Sequence, residues 1–98
     1  MASYLSFESC ALPGQDEVYR RWYDDVHIPD VLKVPGFKQL VLRYRVVADE
    51  PQPRYVSIFE VEGDPKAVLA TLGAATPTMQ MTDALDRAKV KIEILESA

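Results

Sequence analysis

Residues 15–37 read QDEVYRRWYDDVHIPDVLKVPGF, and this stretch orders the rest of the chain. Asp16 and Glu17 stand where acidic side chains suit the start of a helix dipole. Val18, Trp22 and Val26 recur at four-residue spacing, and Tyr19, Tyr23 and Val26 make an adjoining stripe, so one side of the helix is apolar and aromatic. Arg20, Arg21, Asp24 and Asp25 fall mostly on the other side. Pro29 disfavours helical angles at Ile28, which predicts a regular helix from Gln15 to about His27. Asp30 is expected to cap a short further turn through Val34, and Pro35-Gly36 ends it.

Strand patterns lie on both sides of this helix. Upstream, Tyr4 to about Leu12 alternates: Leu5, Phe7, Ser9 and Ala11 share one face, and Tyr4, Ser6, Glu8 and Cys10 the other. Downstream, Phe37 to about Ala48 and Arg54 to about Glu62 form two strands joined by the polar, proline-rich loop Asp49–Pro53. In the first of these, alternation groups Leu40, Leu42, Tyr44 and Val46 against Gln39, Val41, Arg43, Arg45 and Val47. Asp64-Pro65 is a helix start, with Val68, Leu69 and Leu72 as the apolar side and Gly73 as a possible end. Thr76-Pro77 repeats the start signal for a second piece carrying Met79, Met81 and Leu85 to about Asp86. Lys89 to about Glu96 is the last strand, with Val90, Ile92 and Ile94 opposite Lys91, Glu93 and Leu95.

The order is β-α-β-β-α-β, an α+β ferredoxin-like arrangement in which a four-stranded antiparallel sheet carries helices on one face. A sheet face that met only water would be polar. Here Tyr4 and Cys10 lie opposite Leu5 and Phe7, and Val56 and Ile58 opposite Phe59 and Val61. Both faces therefore call for cover, and a second copy of the chain is the simplest cover for the outer one. The length points the same way. At 98 residues the chain forms one small domain with a modest core. One cysteine and one histidine provide neither an internal disulfide nor a structural zinc site. Oligomerisation is the remaining remedy, and a homodimer is expected.

Composition excludes other classes. A net charge of −4 without a basic cluster argues against nucleic acid. No apolar run reaches membrane-spanning length, and the first residues lack the basic region of a signal peptide, so the protein is expected to be cytoplasmic. The chain has no glycine-rich phosphate loop and no GxSxG elbow, so no nucleotide cofactor is expected.

The segment from Trp22 to Phe37 resembles the dimeric α+β barrel superfamily and, within it, the EthD-like group. Members often place an aromatic residue, a histidine, a proline and a Pro-Gly turn at the end of the first helix, as Trp22, His27, Pro29 and Pro35-Gly36 do here. The resemblance implies a ferredoxin-like fold and a dimer with one pocket per subunit. It also implies functions that range over cofactor-independent monooxygenases, polyketide cyclases, lactone isomerases, dehalogenase-like enzymes and accessory proteins. Some members of the wider superfamily bind haem, which here would need His27 as axial ligand. Thr76 to Met81 departs from the plainer second helix of the group.

Among candidate residues His27 comes first, because its ordinary pKa near 6.5 suits proton transfer at neutral pH. Asp24 precedes it by three residues and Asp30 follows by three, so either carboxylate is expected to orient the imidazole. The competing role for His27 is a charge at a helix C-terminus. Trp22 and Tyr23 are candidates for pocket lining or for plain core. Glu8, Tyr4 and Arg43 lie within strands and are candidates for substrate contact, pairing or solvation. Cys10 lacks a demonstrable cationic neighbour and reads as a small packing residue. The leading expectation is a cofactor-independent enzyme of cyclase, isomerase or lyase type. It would act on a small hydrophobic oxygenated molecule, aromatic or polyketide-like, through acid/base chemistry at His27. Cofactorless oxygenation and non-catalytic binding of a small molecule or a partner are the alternatives.

Overall fold

The computed structural model describes residues 2–98 and shows the ferredoxin-like α+β architecture expected. Its elements are β1 (Ser3–Cys10), α1 (Asp16–Trp22), a π-helical turn (Tyr23–His27), α2 (Ile28–Leu32), β2 (Phe37–Arg45), β3 (Arg54–Val61), α3 (Pro65–Ala75) and β4 (Lys91–Glu96). Short 3₁₀ turns occupy Thr76–Thr78 and Arg87–Lys89. The sheet is antiparallel with order β2-β3-β1-β4.

The helix side of the sheet holds the core. Leu5 pairs with Phe59 in register, Ser9 with Tyr55, and Ser3 with Val61. Leu5 and Phe59 are fully buried beneath Tyr19, Trp22, Val31 and Val68. Phe59 meets Phe7 and Phe37 edge-on at 5.8 and 5.6 Å between ring centres, a geometry that sets ring edges against ring faces. The apolar side of α1 is narrower than the repeat suggested. Tyr19, Trp22 and Tyr23 face the sheet, but Val18 is more than half exposed.

The helical run passes beyond His27, which corrects the expected end. Ile28 keeps helical angles (φ −58°, ψ −49°), and the chain stays helical to Leu32. A proline inside an α-helix has no N–H for the carbonyl four residues back, and its ring collides with that carbonyl. Here the turn before Pro29 widens instead: the Ile28 N–H donates to the Tyr23 carbonyl, five residues back. Pro29 then sits in the first turn of α2, where its missing donor matters least. Asp30 lies inside this helix and is not a cap.

Two further expectations are corrected. In β2, register shifts between Phe37 and Gln39 and between Leu40 and Leu42 change which residues face which way. Leu40 therefore pairs with Phe59 on the helix side, whereas Leu42 and Tyr44 pair with Ile58 and Val56 on the outer side. Arg43 pairs with Ser57 and is delivered to the helix side. In the second crossover, Asp64 caps α3 by accepting from the Lys66 N–H at 3.0 Å, and the helix continues through Gly73 to Ala75. Pro77 cannot donate to the Gly73 carbonyl, and Thr76 turns its hydroxyl back to the Leu72 carbonyl at 2.8 Å. Helix ends there, apart from one 3₁₀ turn. The second helical piece expected up to Asp86 is replaced by irregular chain whose end pairs with the end of β1. Leu12 N–H donates to Ala84 O at 2.8 Å, and Asp86 N–H to Cys10 O at 3.0 Å. The following 3₁₀ turn delays β4 to Lys91.

No described helix is long and apolar enough to cross a membrane.

Candidate functional site

The π turn decides how the first-crossover side chains are aimed. One extra residue per turn brings Trp22, Tyr23 and His27 together. The His27 ring stacks on Trp22 with centres 4.5 Å apart and planes 23° from parallel. Tyr23 meets it edge-on at 5.2 Å. Trp22 and Tyr23 are both buried. The indole N–H of Trp22 donates to the Gln80 carbonyl at 2.7 Å, so the irregular second crossover is tied down at this point.

His27 Nδ1 is buried and has no hydrogen-bond partner among the described residues. Burial pulls the His27 pKa below its ordinary value; nearby Asp30 opposes this and Arg43 adds to it. The ring is therefore held neutral at neutral pH, with Nδ1 withheld from solvent. A buried ring nitrogen left unpaired costs on the order of 1–3 kcal/mol. Because the helix does not end at His27, the role of a charge at a helix C-terminus falls away. Neither carboxylate hydrogen-bonds Nδ1. Asp24 accepts from Arg43 Nε at 3.2 Å, and Asp30 lies 4.0 Å from Lys33 Nζ.

Arg43 links the turn to the sheet. Its guanidinium carbon lies 4.0 Å from the centre of the Tyr23 ring and 5.2 Å from that of Tyr55, and Nη1 donates to Ser57 Oγ at 3.3 Å. A guanidinium held over aromatic faces gains from their negative quadrupole. Burial pushes the Tyr23 phenol up to about 12; the Ser57 hydroxyl and Arg43 pull against this, and Tyr19 and Asp24 add to it. Tyr23 thus remains a neutral hydrogen-bond donor.

The sequence reading missed the rest of this polar layer. Ser9 and Tyr19 share a 2.6 Å hydroxyl–hydroxyl bond deep in the core. The Tyr55 hydroxyl donates to Asp16 at 2.9 Å. A signal was present: Ser9 and Ser57 stand on otherwise apolar strand faces, and buried hydroxyls need partners. Tyr19 and Tyr23, four residues apart on the facing helix, are suited to supply them.

The remaining candidates lie elsewhere. Glu8 and Tyr4 are on the outer face of the sheet, away from His27. Glu8 accepts from Arg54 at 2.8 Å, and Arg54 is shared with Glu50. Cys10 is buried on that same face, and burial, with Asp86, pushes its thiol up. Six of the eight candidates therefore belong to the first crossover and its neighbour Arg43, and two do not join them. A surface concavity of about 280 Å³ opens one turn after His27, lined by Asp30, Lys33, Val34, Pro35, Thr78 and Met79. Among the described residues no group of three or more His, Cys, Asp or Glu side chains is placed to hold a metal ion.

A scan against models of known protein families and a search of curated proteins both return no match for this chain.

Proposed function

We propose that the chain is a cofactor-independent enzyme that moves a proton on a small, largely hydrophobic, oxygen-bearing molecule of aromatic or polyketide-like chemistry. The observation that carries this reading is the buried, unpartnered Nδ1 of a neutral His27, stacked on Trp22 at a π turn. Such turns occur disproportionately at functional sites. His27 acts as the base, removing a proton next to a carbonyl, and Asp30 balances the charge the imidazole acquires. The resulting enolate-like intermediate then cyclises, isomerises or loses a leaving group. In this reading Trp22 holds the imidazole by stacking on it, and the substrate sits in the concavity that Asp30 lines. The resemblance of Trp22–Phe37 to the EthD-like group of dimeric α+β barrels supports the same reading.

In this proposal two copies meet through the outer faces of their sheets, in the cytoplasm. Supporting it, Leu42 and Tyr44 are both more than a third exposed there, beside half-buried Ile58 and Tyr4.

One observation favours a second reading. No carboxylate fixes the His27 tautomer at Nδ1. A non-catalytic small-molecule-binding protein needs no such fixing, and it would tolerate His27→Gln. An NMR titration of the single histidine, with and without aromatic and polyketide-like compounds, tests the proposal. An imidazole pKa below the ordinary value that moves with one of them is expected, as is loss of turnover of that compound in His27→Ala. Tight binding without turnover, unaffected by His27→Gln, would establish the second reading instead. An imidazole indifferent to every compound, together with full turnover by His27→Ala, would rule out both roles for it.

A further inference from the structure

The two edges of the sheet are built differently. β2, at one edge, carries two register irregularities and the charged residues Lys38, Arg43 and Arg45. Bulges and charges of this kind are common devices for discouraging edge-to-edge pairing. β4, at the other edge, pairs with β1 over six consecutive residue pairs without a shift. It contains no proline and no bulge, and every one of its residues is exposed. Its outer row of backbone N–H and C=O groups is open to another strand.

The apolar side of this edge is bare as well. Ile92 and Ile94 pair with Phe7 and Leu5, so they face the helix layer, and Val90, in extended conformation, falls on the same side two residues earlier. Yet Val90 is 41% exposed, Ile92 44% and Ile94 39%. The reason lies in the second crossover, where α3 ends at Ala75 and irregular chain takes its place. A copy docked on the outer face of the sheet could not cover these residues, because they point the other way.

We infer that β4 is a self-complementary edge through which two copies of the chain join, antiparallel and related by a two-fold axis at Ile92, into one continuous eight-stranded sheet. Charge selects the register. An antiparallel pair sets residues of the same face opposite each other, so the axis must pass through a residue. Centred on Lys91 or Glu93, it would oppose two like charges. Centred on Ile94, it would set Lys91 against Ser97 and Glu93 against Leu95 of the other copy. Centred on Ile92, it sets Lys91 against Glu93 twice, once in each direction. The same centre places Val90 against Ile94 twice and Ile92 against itself, joining two bare apolar stripes into one. Within one copy Lys91 Nζ is already 3.8 Å from Glu93, and both side chains are more than half exposed, so each is free to turn to the other strand. The inference is independent of the role of His27 and of the outer-face dimer.

Charge reversal tests it by sedimentation equilibrium on the full chain. Lys91→Glu sets Glu opposite Glu93, and Glu93→Lys sets Lys opposite Lys91. Each change converts two attractive cross-strand pairs into two repulsive ones, so each is expected to weaken association by about tenfold or more and, near the wild-type dissociation constant, to lower the average mass toward that of the separate species. The double variant Lys91→Glu/Glu93→Lys restores the pairs and is expected to regain the wild-type mass. Circular dichroism establishes that the variants, changed only at exposed side chains, remain folded. As a variant-free check, the β4 amides that point away from β1 are expected to exchange hydrogen more slowly as protein concentration rises. A wild-type mass retained by either single variant, a double variant that fails to recover, or concentration-independent exchange at β4 would overturn the inference.

Discussion

The two crossovers of this fold begin from similar signals and end differently. The first runs helically from Asp16 to Leu32 and covers its half of the sheet with Tyr19, Trp22, Tyr23 and Val31. The second is helical only to Ala75 before its 3₁₀ turn and returns through irregular chain, with Met79, Met81 and Leu85 partly buried. A helix is about 10 Å wide with its side chains. A single extended segment covers a narrower strip, and only alternate side chains reach the sheet. That difference accounts for a buried polar layer under one crossover and a bare β4 under the other. The groups suited to chemistry gather where cover is complete, and the groups suited to association lie where it is not.

The largest effect expected from this contrast is on stability. Trp22→Ala removes a buried indole, its stacking on His27 and its bond to Gln80, and should cost about 3–5 kcal/mol. Met81→Ala, at a half-buried site in the second crossover, should cost about 1–2 kcal/mol. Urea denaturation monitored by circular dichroism compares them. Equal losses would mean that the two crossovers contribute alike and that the contrast in cover has no energetic counterpart.

Gly36 sharpens the comparison at a place where the crossovers approach closely. It holds φ +99°, and a Cβ there would lie 2.6 Å from Val68 Cγ2 in α3. Gly36→Ala therefore combines a left-handed backbone with a collision, for an expected cost of about 1–3 kcal/mol. The collision is relieved in a Val68→Ala background but the backbone strain is not, so Gly36→Ala should cost less there without becoming free. A cycle with no coupling would show that the close approach is not what requires glycine.

Much of this was legible in the sequence, and the failures share a cause. Strand periodicity in β1, β3 and β4 and the Asp64-Pro65 start express local rules that the tertiary structure obeys. Pro29 reads as a stop because a proline disfavours helical angles at the residue before it; Ile28 keeps those angles and the chain escapes through a π turn, an option that local preference does not rank. Simple alternation in β2 takes no account of bulges, and the register shifts place Leu40 on the helix side and leave Leu42 and Tyr44 outside. The segment after Thr76 has helical spacing at Met79, Met81 and Leu85 only loosely, and the end of β1 offered its backbone a competing set of partners. For the site, His27 with Trp22 and Tyr23 could be anticipated because all three lie within one helical stretch. Arg43 and Ser57 meet Tyr23 only through strand register. The commitment of Asp24 to Arg43 instead of His27 follows from the same long-range pairing.

The smallest expected effect tests the buried nitrogen itself. Burial lowers the pKa of His27 in the folded chain, with Arg43 adding to the shift and Asp30 opposing it. The unfolded chain takes up this proton at about pH 6.5. Above that pH both states hold a neutral ring and the contribution of His27 to stability is fully present. As pH falls through 6.5 the unfolded state binds the proton first, so stability is lost progressively until the folded-state pKa is passed. His27→Gln removes this linkage but leaves the carboxylates, so the wild-type-minus-variant stability should decline between about pH 8 and pH 5. A flat difference would mean that the ring is as well hydrated folded as unfolded. A difference that grows on acidification would mean that Asp30, and not burial, governs the imidazole. In either case the first crossover would hold no sheltered base, and the contrast between its chemistry and the bare edge of β4 would lose its first half.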